Sequence, residues 1–211
     1  MILECSNLEC HLRFPITSTS KIPRFCPRCK HPVVRINSYS DSPLEDSAIS
    51  SPNIFRFSVL LDNIRSAYNV GSIIRSADGF NIRHVYLCGI TPTPENPKVN
   101  KTSLGAEKTV SWSYSPNSLL TVRRLITEGF ILYGLETGKE SRPIHDIELA
   151  QDQENEHIVL ILGNEVTGID PEIRSLCNQL LYIPMMGKKQ SFNVTIAFGI
   201  AAFYLLQKIN K

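Results

Sequence analysis

Four cysteines near the start of the chain are spaced to do chemistry. Cys5 and Cys10 are separated by four residues, Cys26 and Cys29 by two, with fifteen between the pairs. Each pair fits one tight turn and offers two sulfurs to a tetrahedral ion, which is the ligand set of structural zinc. His11 and His31 stand beside the pairs, but four thiols already complete the shell. A redox C-x-x-C opens a helix in a βαβ setting, and Pro32 and the basic flanks do not suit one here. The expected metal ligands are therefore Cys5, Cys10, Cys26 and Cys29. A head of about 38 residues has too little core to fold unaided, so the metal would supply its stability.

Three later segments carry polar and glycine residues where strand-like runs hand over to helix-like ones. They are DNIRSAYNVGSIIRSADGF from Asp62 to Phe80, LGNEVTGI from Leu162 to Ile169, and IPMMGKKQSFNVT from Ile183 to Thr195. In open α/β sheets ligands bind outside the carboxyl ends of the strands. The polar side chains of these three segments are thus candidates to meet a ligand. His84, His145 and His157 show no metal spacing, and Cys88 and Cys177 suit a core.

The elements that position these residues follow from the apolar pattern. Buried strands are expected at Phe57–Leu61, His84–Cys88, Phe130–Glu136, Ile158–Leu162 and Leu180–Ile183. Helices are expected over Asn69–Phe80, Ser118–Glu128 (capped by Asn117 or Ser115 and ended by Gly129), Pro171–Cys177 with Asp170 as N-cap, and Asn193–Lys208. Lys101–Glu107 (KTSLGAE) suits either a polar, glycine-containing loop that could contact a ligand or the start of a helix. Alternation of strand and helix predicts an α/β layer with a mainly parallel sheet and flanking helices. Residues 39–53 are rich in serine and acid, with Pro43 and Pro52, and suit a flexible linker. The expected organisation is a zinc-ribbon-like head at 1–38, this linker, and a body at 54–211.

The net charge of +2 excludes little, but residues 1–38 carry six basic side chains against Glu4 and Glu9. That excess suits phosphate contact by the head or simply its solubility. No apolar leader follows the start, which predicts a cytoplasmic chain with reduced thiols. The longest apolar run, Val194–Leu206, has 13 residues, short of the roughly 20 that a membrane helix needs.

In this order, the three segments resemble the motifs of the SpoU (TrmH-like) family of the SPOUT superfamily. N-x-G-x-x-x-R is matched by Asn69, Gly71 and Arg75, and N-E-x-x-G by Asn164, Glu165 and Gly168. The third motif, I-P-M…S-x-N-V, is matched by Ile183, Pro184, Met185, Ser191, Asn193 and Val194. Ser66-Ala67-Tyr68 stand where the family often has Asn-Pro, Phe192 replaces a leucine and Thr195 a serine; these departures bear on substrate choice. The resemblance implies a C-terminal trefoil knot and a homodimer whose active site draws on both subunits. It implies an S-adenosylmethionine-dependent methyltransferase acting on a ribose 2′-hydroxyl of tRNA or rRNA. It also implies catalytic roles for Asn69, Arg75, Glu165, Ser191 and Asn193, and a donor site at Leu135, Glu136, Gly163, Asn164, Gly168, Ile183, Met185 and Phe192. Two other activities remain open: an idle RNA-binding module, and a SPOUT enzyme that modifies a base.

Methyl transfer is an in-line displacement that needs alignment and loss of the hydroxyl proton. An arginine is a poor base, so Arg75 either is strongly perturbed or holds an RNA phosphate. Asn69 is expected to cap its helix and orient Arg75, and Glu165 to pair with Arg75 or with substrate. Ser191 and Asn193 precede the closing helix, where they can hold a ligand or serve as N-caps.

Overall fold

The computed structural model describes residues 1–17, 21–37, 57–147 and 157–209. The expected linker at 39–53 lies outside them. Chain contacts group into two units, Met1–Pro52 and Asn53–Lys211.

In the first unit, β1 (Ile2–Cys5), β2 (Arg13–Pro15) and β3 (Val33–Asn37) form an antiparallel sheet in the order β2-β1-β3. Among the described residues of this unit, only Leu3 and two of the cysteines, Cys5 and Cys26, are buried apolar groups.

The second unit is built on a seven-stranded sheet. Its strands are β4 (Phe57–Asp62), β5 (His84–Cys88), β6 (Trp112–Ser115), β7 (Phe130–Leu135), β8 (Arg142–Pro143), β9 (His157–Leu162) and β10 (Gln179–Tyr182). The order is β6-β5-β4-β9-β7-β10-β8, and every pairing is parallel. β4 and β9 sit in the middle, and their apolar residues alternate between two cores. Phe57, Val59 and Leu61 face one side together with Ile158, Leu160 and Leu162. Leu60, Val159 and Ile161 face the other. This two-sided burial is why both strands read as continuous apolar runs.

Among the described residues, five α-helices cover the sheet: α1 (Ala67–Gly79), α2 (Pro97–Ser103), α3 (Ser118–Thr127), α4 (Pro171–Leu176) and α5 (Val194–Ile209). α1, α2 and α5 supply the first core through Val70, Ile73, Ile74, Val99 and Phe198, and α3 and α4 the second through Val122, Leu125 and Ile173. The ends follow local chemistry. Asn117 accepts the Leu120 N–H and caps α3, Asp170 accepts the Glu172 N–H and caps α4, and Gly129 takes a φ of +82° after α3.

α1 departs from expectation at its start. It begins at Ala67, and Ser66, not Asn69, is the N-cap, its hydroxyl accepting the Asn69 backbone N–H at 3.3 Å. The Asn69 side chain is thereby left for other work. α2 and the edge strands β6 and β8 have no counterpart in the apolar pattern. The segment Lys101–Glu107 straddles the end of α2 and a 3₁₀ turn at Ala106–Lys108.

Candidate active site

The second and third segments meet the first at the carboxyl ends of β4, β9 and β10. Asn164 and Gly168 exchange backbone hydrogen bonds of 3.0 and 2.9 Å and close a tight turn. The Asn164 carbonyl oxygen on its side chain accepts the N–H groups of Val166 and Thr167, and its amide donates to the Asn63 carbonyl at 2.7 Å. This side chain is consumed in shaping the loop. Gly163 is a glycine for a related reason: a Cβ there would collide with the backbone of Gly168 and Ile169. The loop thus packs closely on itself at Gly163, which also lines the adjoining cleft.

At the tip of that turn, Glu165 reaches the start of α1. Its Oε2 accepts the Arg65 N–H at 2.9 Å, and its Oε1 accepts the Ser66 N–H at 3.1 Å and the Asn69 amide at 3.0 Å. Partial burial works against the charge, but the Arg65 N–H, the residue's own backbone, the Asn69 amide and the Ser66 N–H outweigh it and hold the carboxyl below its ordinary value. A carboxylate here also complements the N-terminal end of α1. Asn69 accepts in turn from the Asn193 amide at 3.4 Å, while Asn193 caps α5 by accepting the Thr195 N–H at 2.9 Å. One asparagine therefore joins all three segments.

Behind this junction lies a cleft of about 550 Å³. All eight residues expected around the donor line it, as do Glu165, Ser191 and Asn193. Its wall has apolar groups in Leu135, Ile183 and Phe192, and polar ones that include Thr137 and Thr167. The two threonines carry no signal in the sequence beyond their neighbours. Glu136 is already engaged: it accepts the Ile169 N–H at 2.9 Å and pairs with Arg174 at 3.6 Å.

Arg75 does not line this cleft. It lies on the exposed side of α1, in a separate cavity with Ser72, Ser76, Lys101, Thr102 and Leu104. Glu165 is bonded to Arg65, Ser66 and Asn69, and no ion pair joins it to Arg75 within the protomer among the described residues. Asn69 likewise bonds Glu165 and Asn193 rather than orienting Arg75.

In the head, the sulfurs of Cys5, Cys10, Cys26 and Cys29 all lie within 4.8 Å of one another. Cys5 and Cys29 are 3.4 Å apart, and Cys10 and Cys26 are 3.9 Å apart. A tetrahedron with Zn–S bonds of about 2.3 Å has edges of roughly 3.8 Å, so the donor set fits such an ion. The N–H groups of Asn7 and Arg28 donate to the sulfurs of Cys5 and Cys26, both at 3.4 Å. The residue after each pair, His11 or Lys30, takes a positive φ that turns the chain back. Neither His11 nor His31 joins the cluster.

The sequence profile of the SpoU rRNA Methylase family matches residues 56–203. The chain belongs to this family. Among SpoU relatives, an uncharacterized tRNA/rRNA methyltransferase of Borreliella burgdorferi is 33% identical, over 73% of this chain and 65% of that protein. The 23S rRNA (guanosine-2′-O-)-methyltransferase RlmB of Xanthomonas axonopodis pv. citri is 30% identical, over 69% of this chain and 56% of its own. The chain thus spans somewhat under two thirds of the length of these two relatives. The crystal structure of an AdoMet-bound rRNA methyltransferase from Sinorhizobium meliloti superposes with a TM-score of 0.66 and 26% identity, covering 72% of this chain and 56% of that one. The SpoU match takes in the cleft and Arg75 but not the cysteine head.

Proposed function

We propose that this chain transfers a methyl group from S-adenosylmethionine to a ribose 2′-hydroxyl of tRNA or rRNA. The observation that carries the proposal is the junction at Asn69, which joins the three SpoU segments beside one cleft. The cleft fits the donor in size, since small-molecule sites run to roughly 300–1,000 Å³, and its apolar wall at Leu135, Ile183 and Phe192 suits an adenine. The names of the relatives supply the reaction class.

When bound, S-adenosylmethionine supplies an electrophilic methyl group. As the ribose oxygen bonds to the methyl carbon, the carbon–sulfur bond breaks with its electron pair moving to sulfur, and the hydroxyl proton leaves to a base. The protein's part is alignment and charge. The turn at Asn164–Gly168 and the loop before α5 wall the donor. Glu165 and Asn69 lock that turn onto α1, and Ser191 and Asn193 hold the cleft's outer side.

Arg75 then needs to come from a second subunit. α5 supports this arrangement: beside its buried face it exposes Ile196, Ile200 and Phe203, the last 58% accessible. That apolar stripe suits a twofold helix contact in a homodimer. A trefoil knot belongs to the same proposal, supported by β10 lying between β7 and β8 in the sheet. So do a cytoplasmic location, where such RNAs are met, a zinc ion at Cys5, Cys10, Cys26 and Cys29, and the division into head, linker and body at 1–38, 39–53 and 54–211. Among the described residues no helix is long and apolar enough to cross a membrane.

The test uses the full chain, unmodified tRNA and rRNA, and a labelled methyl donor, with nucleoside mass mapping of the product. Label on a ribose oxygen is the expected result. Label on a base, or a chain that binds no donor at all, overturns the proposal. Arg75→Ala is expected to abolish transfer while calorimetry still reports donor binding.

A further inference from the structure

The cavity that holds Arg75 has a composition of its own. It measures about 520 Å³ and is lined by Ser72, Arg75 and Ser76 of α1 with Lys101, Thr102 and Leu104 at the end of α2. Among the described residues, two cations and three hydroxyl groups meet there with no carboxylate. Two acids that stand near in sequence are engaged elsewhere. Glu107 is held by the Ser103 hydroxyl at 2.5 Å and the Gly105 N–H at 3.0 Å, and Asp78 accepts the Thr109 hydroxyl at 2.6 Å. Neither Arg75 nor Lys101 has an ion-pair partner among the described residues.

The walls are rigid. A Cβ at Gly71 would collide with the Val99 carbonyl and the Thr102 hydroxyl, so α1 and α2 are in direct backbone contact. Thr102 ties the two helices by donating to the Tyr68 carbonyl at 3.0 Å. Lys101, on the last turn of α2, is carried on this fixed frame toward the same cavity as Arg75. An uncompensated pair of cations on a rigid, hydroxyl-lined wall is an anion site.

We infer that this cavity binds one RNA phosphodiester and that Lys101 is its second cation beside Arg75. The inference rests on the methyltransferase proposal for the identity of its polyanion. It gives Arg75 a phosphate to hold, and so a part in placing the adjoining ribose. Lys101 is a positioning residue for RNA and has no part in the donor cleft.

The test is RNA binding by the full chain across a salt series, with an unmodified tRNA transcript and an oligo(U) strand as probes. Loss of one phosphate contact lowers the slope of log K against log salt by roughly 0.7–0.9. Lys101→Glu and Lys101→Gln are expected to show that drop on both probes, because a backbone contact is indifferent to base sequence. Lys101→Arg is expected to restore it, and all three variants should bind S-adenosylmethionine as the wild type does. In turnover, KM for RNA rises while kcat at saturating RNA changes far less. Unchanged affinity and slope in both Lys101→Glu and Lys101→Gln overturn the inference. So does saturable binding of inorganic phosphate that Lys101→Glu abolishes without touching the RNA slope, since the cavity would then serve a free anion. If the wild type transfers no methyl, the methyltransferase proposal fails, while the salt slope still reports on Lys101.

Discussion

The Asn69 amide donates to Glu165 Oε1 at 3.0 Å across 96 residues of sequence, and this contact locks the turn after β9 onto the start of α1. The same carboxylate accepts the backbone N–H groups of Arg65 and Ser66 at the start of α1. Its charge is therefore part of the fold as well as of the site.

Glu165→Gln keeps the shape and removes the charge. Charge-assisted hydrogen bonds exceed neutral ones, and with solvent screening the expected loss is about 1 kcal/mol at neutral pH. The folded-state value lies below the ordinary one, so the wild-type advantage is present above the unfolded value and disappears as pH falls through the folded one. Urea unfolding of both proteins in a pH series checks this. A difference that stayed constant into strong acid would contradict it.

Gly163→Ala places a methyl group against the backbone of Gly168 and Ile169. Backbone cannot rotate away as a side chain can, so about 1–3 kcal/mol of stability is expected to be lost. The displaced turn should also weaken donor binding about tenfold or more, read by thermal unfolding and by calorimetry with S-adenosylmethionine. A stable variant with wild-type affinity would show that the turn accommodates the group.

One equivalent of zinc is expected in the full chain, and Cys26→Ser should lose it, because Cys26 is fully buried and cannot be replaced from solvent. Chelation should unfold residues 1–37 and leave the second unit's melting unchanged, since the head has almost no apolar core of its own. Metal analysis paired with hydrogen exchange resolved by region decides it. Less than half an equivalent of metal would count against the ligand set.

Phe203→Glu, on the outward face of α5, is expected to convert a dimer to monomers in sedimentation measurements and to abolish methyl transfer. Donor binding should weaken much less. A variant that is monomeric and fully active would place every catalytic group in one subunit.

The middle strands were legible because burial on both faces makes them unbroken apolar runs, as in Phe57–Asp62 and His157–Leu162. The caps at Asn117 and Asp170 were legible because capping is local chemistry between residues two or three apart. α2 was not, since only Val99 and Ser103 of its seven residues are buried and no stripe forms. β6 (WSYS) lies at a sheet edge with no fully buried residue, so it lacks a strand's usual apolar signature.

The residue types at the site were determined by the sequence alone: the four thiols, and the asparagines, glutamate and arginine of three motifs. Which of them touch was decided only by the tertiary structure. Ser66 takes the cap and frees the Asn69 side chain, because two residues three apart compete for one set of helix N–H groups. Arg75 turns away from the cleft that its motif helps to build, because the face of α1 carrying Val70, Ile73 and Ile74 must be buried and Arg75 lies off it. Hydrophobic burial sets the rotation of the helix, and that rotation assigns each polar side chain to one cavity or the other.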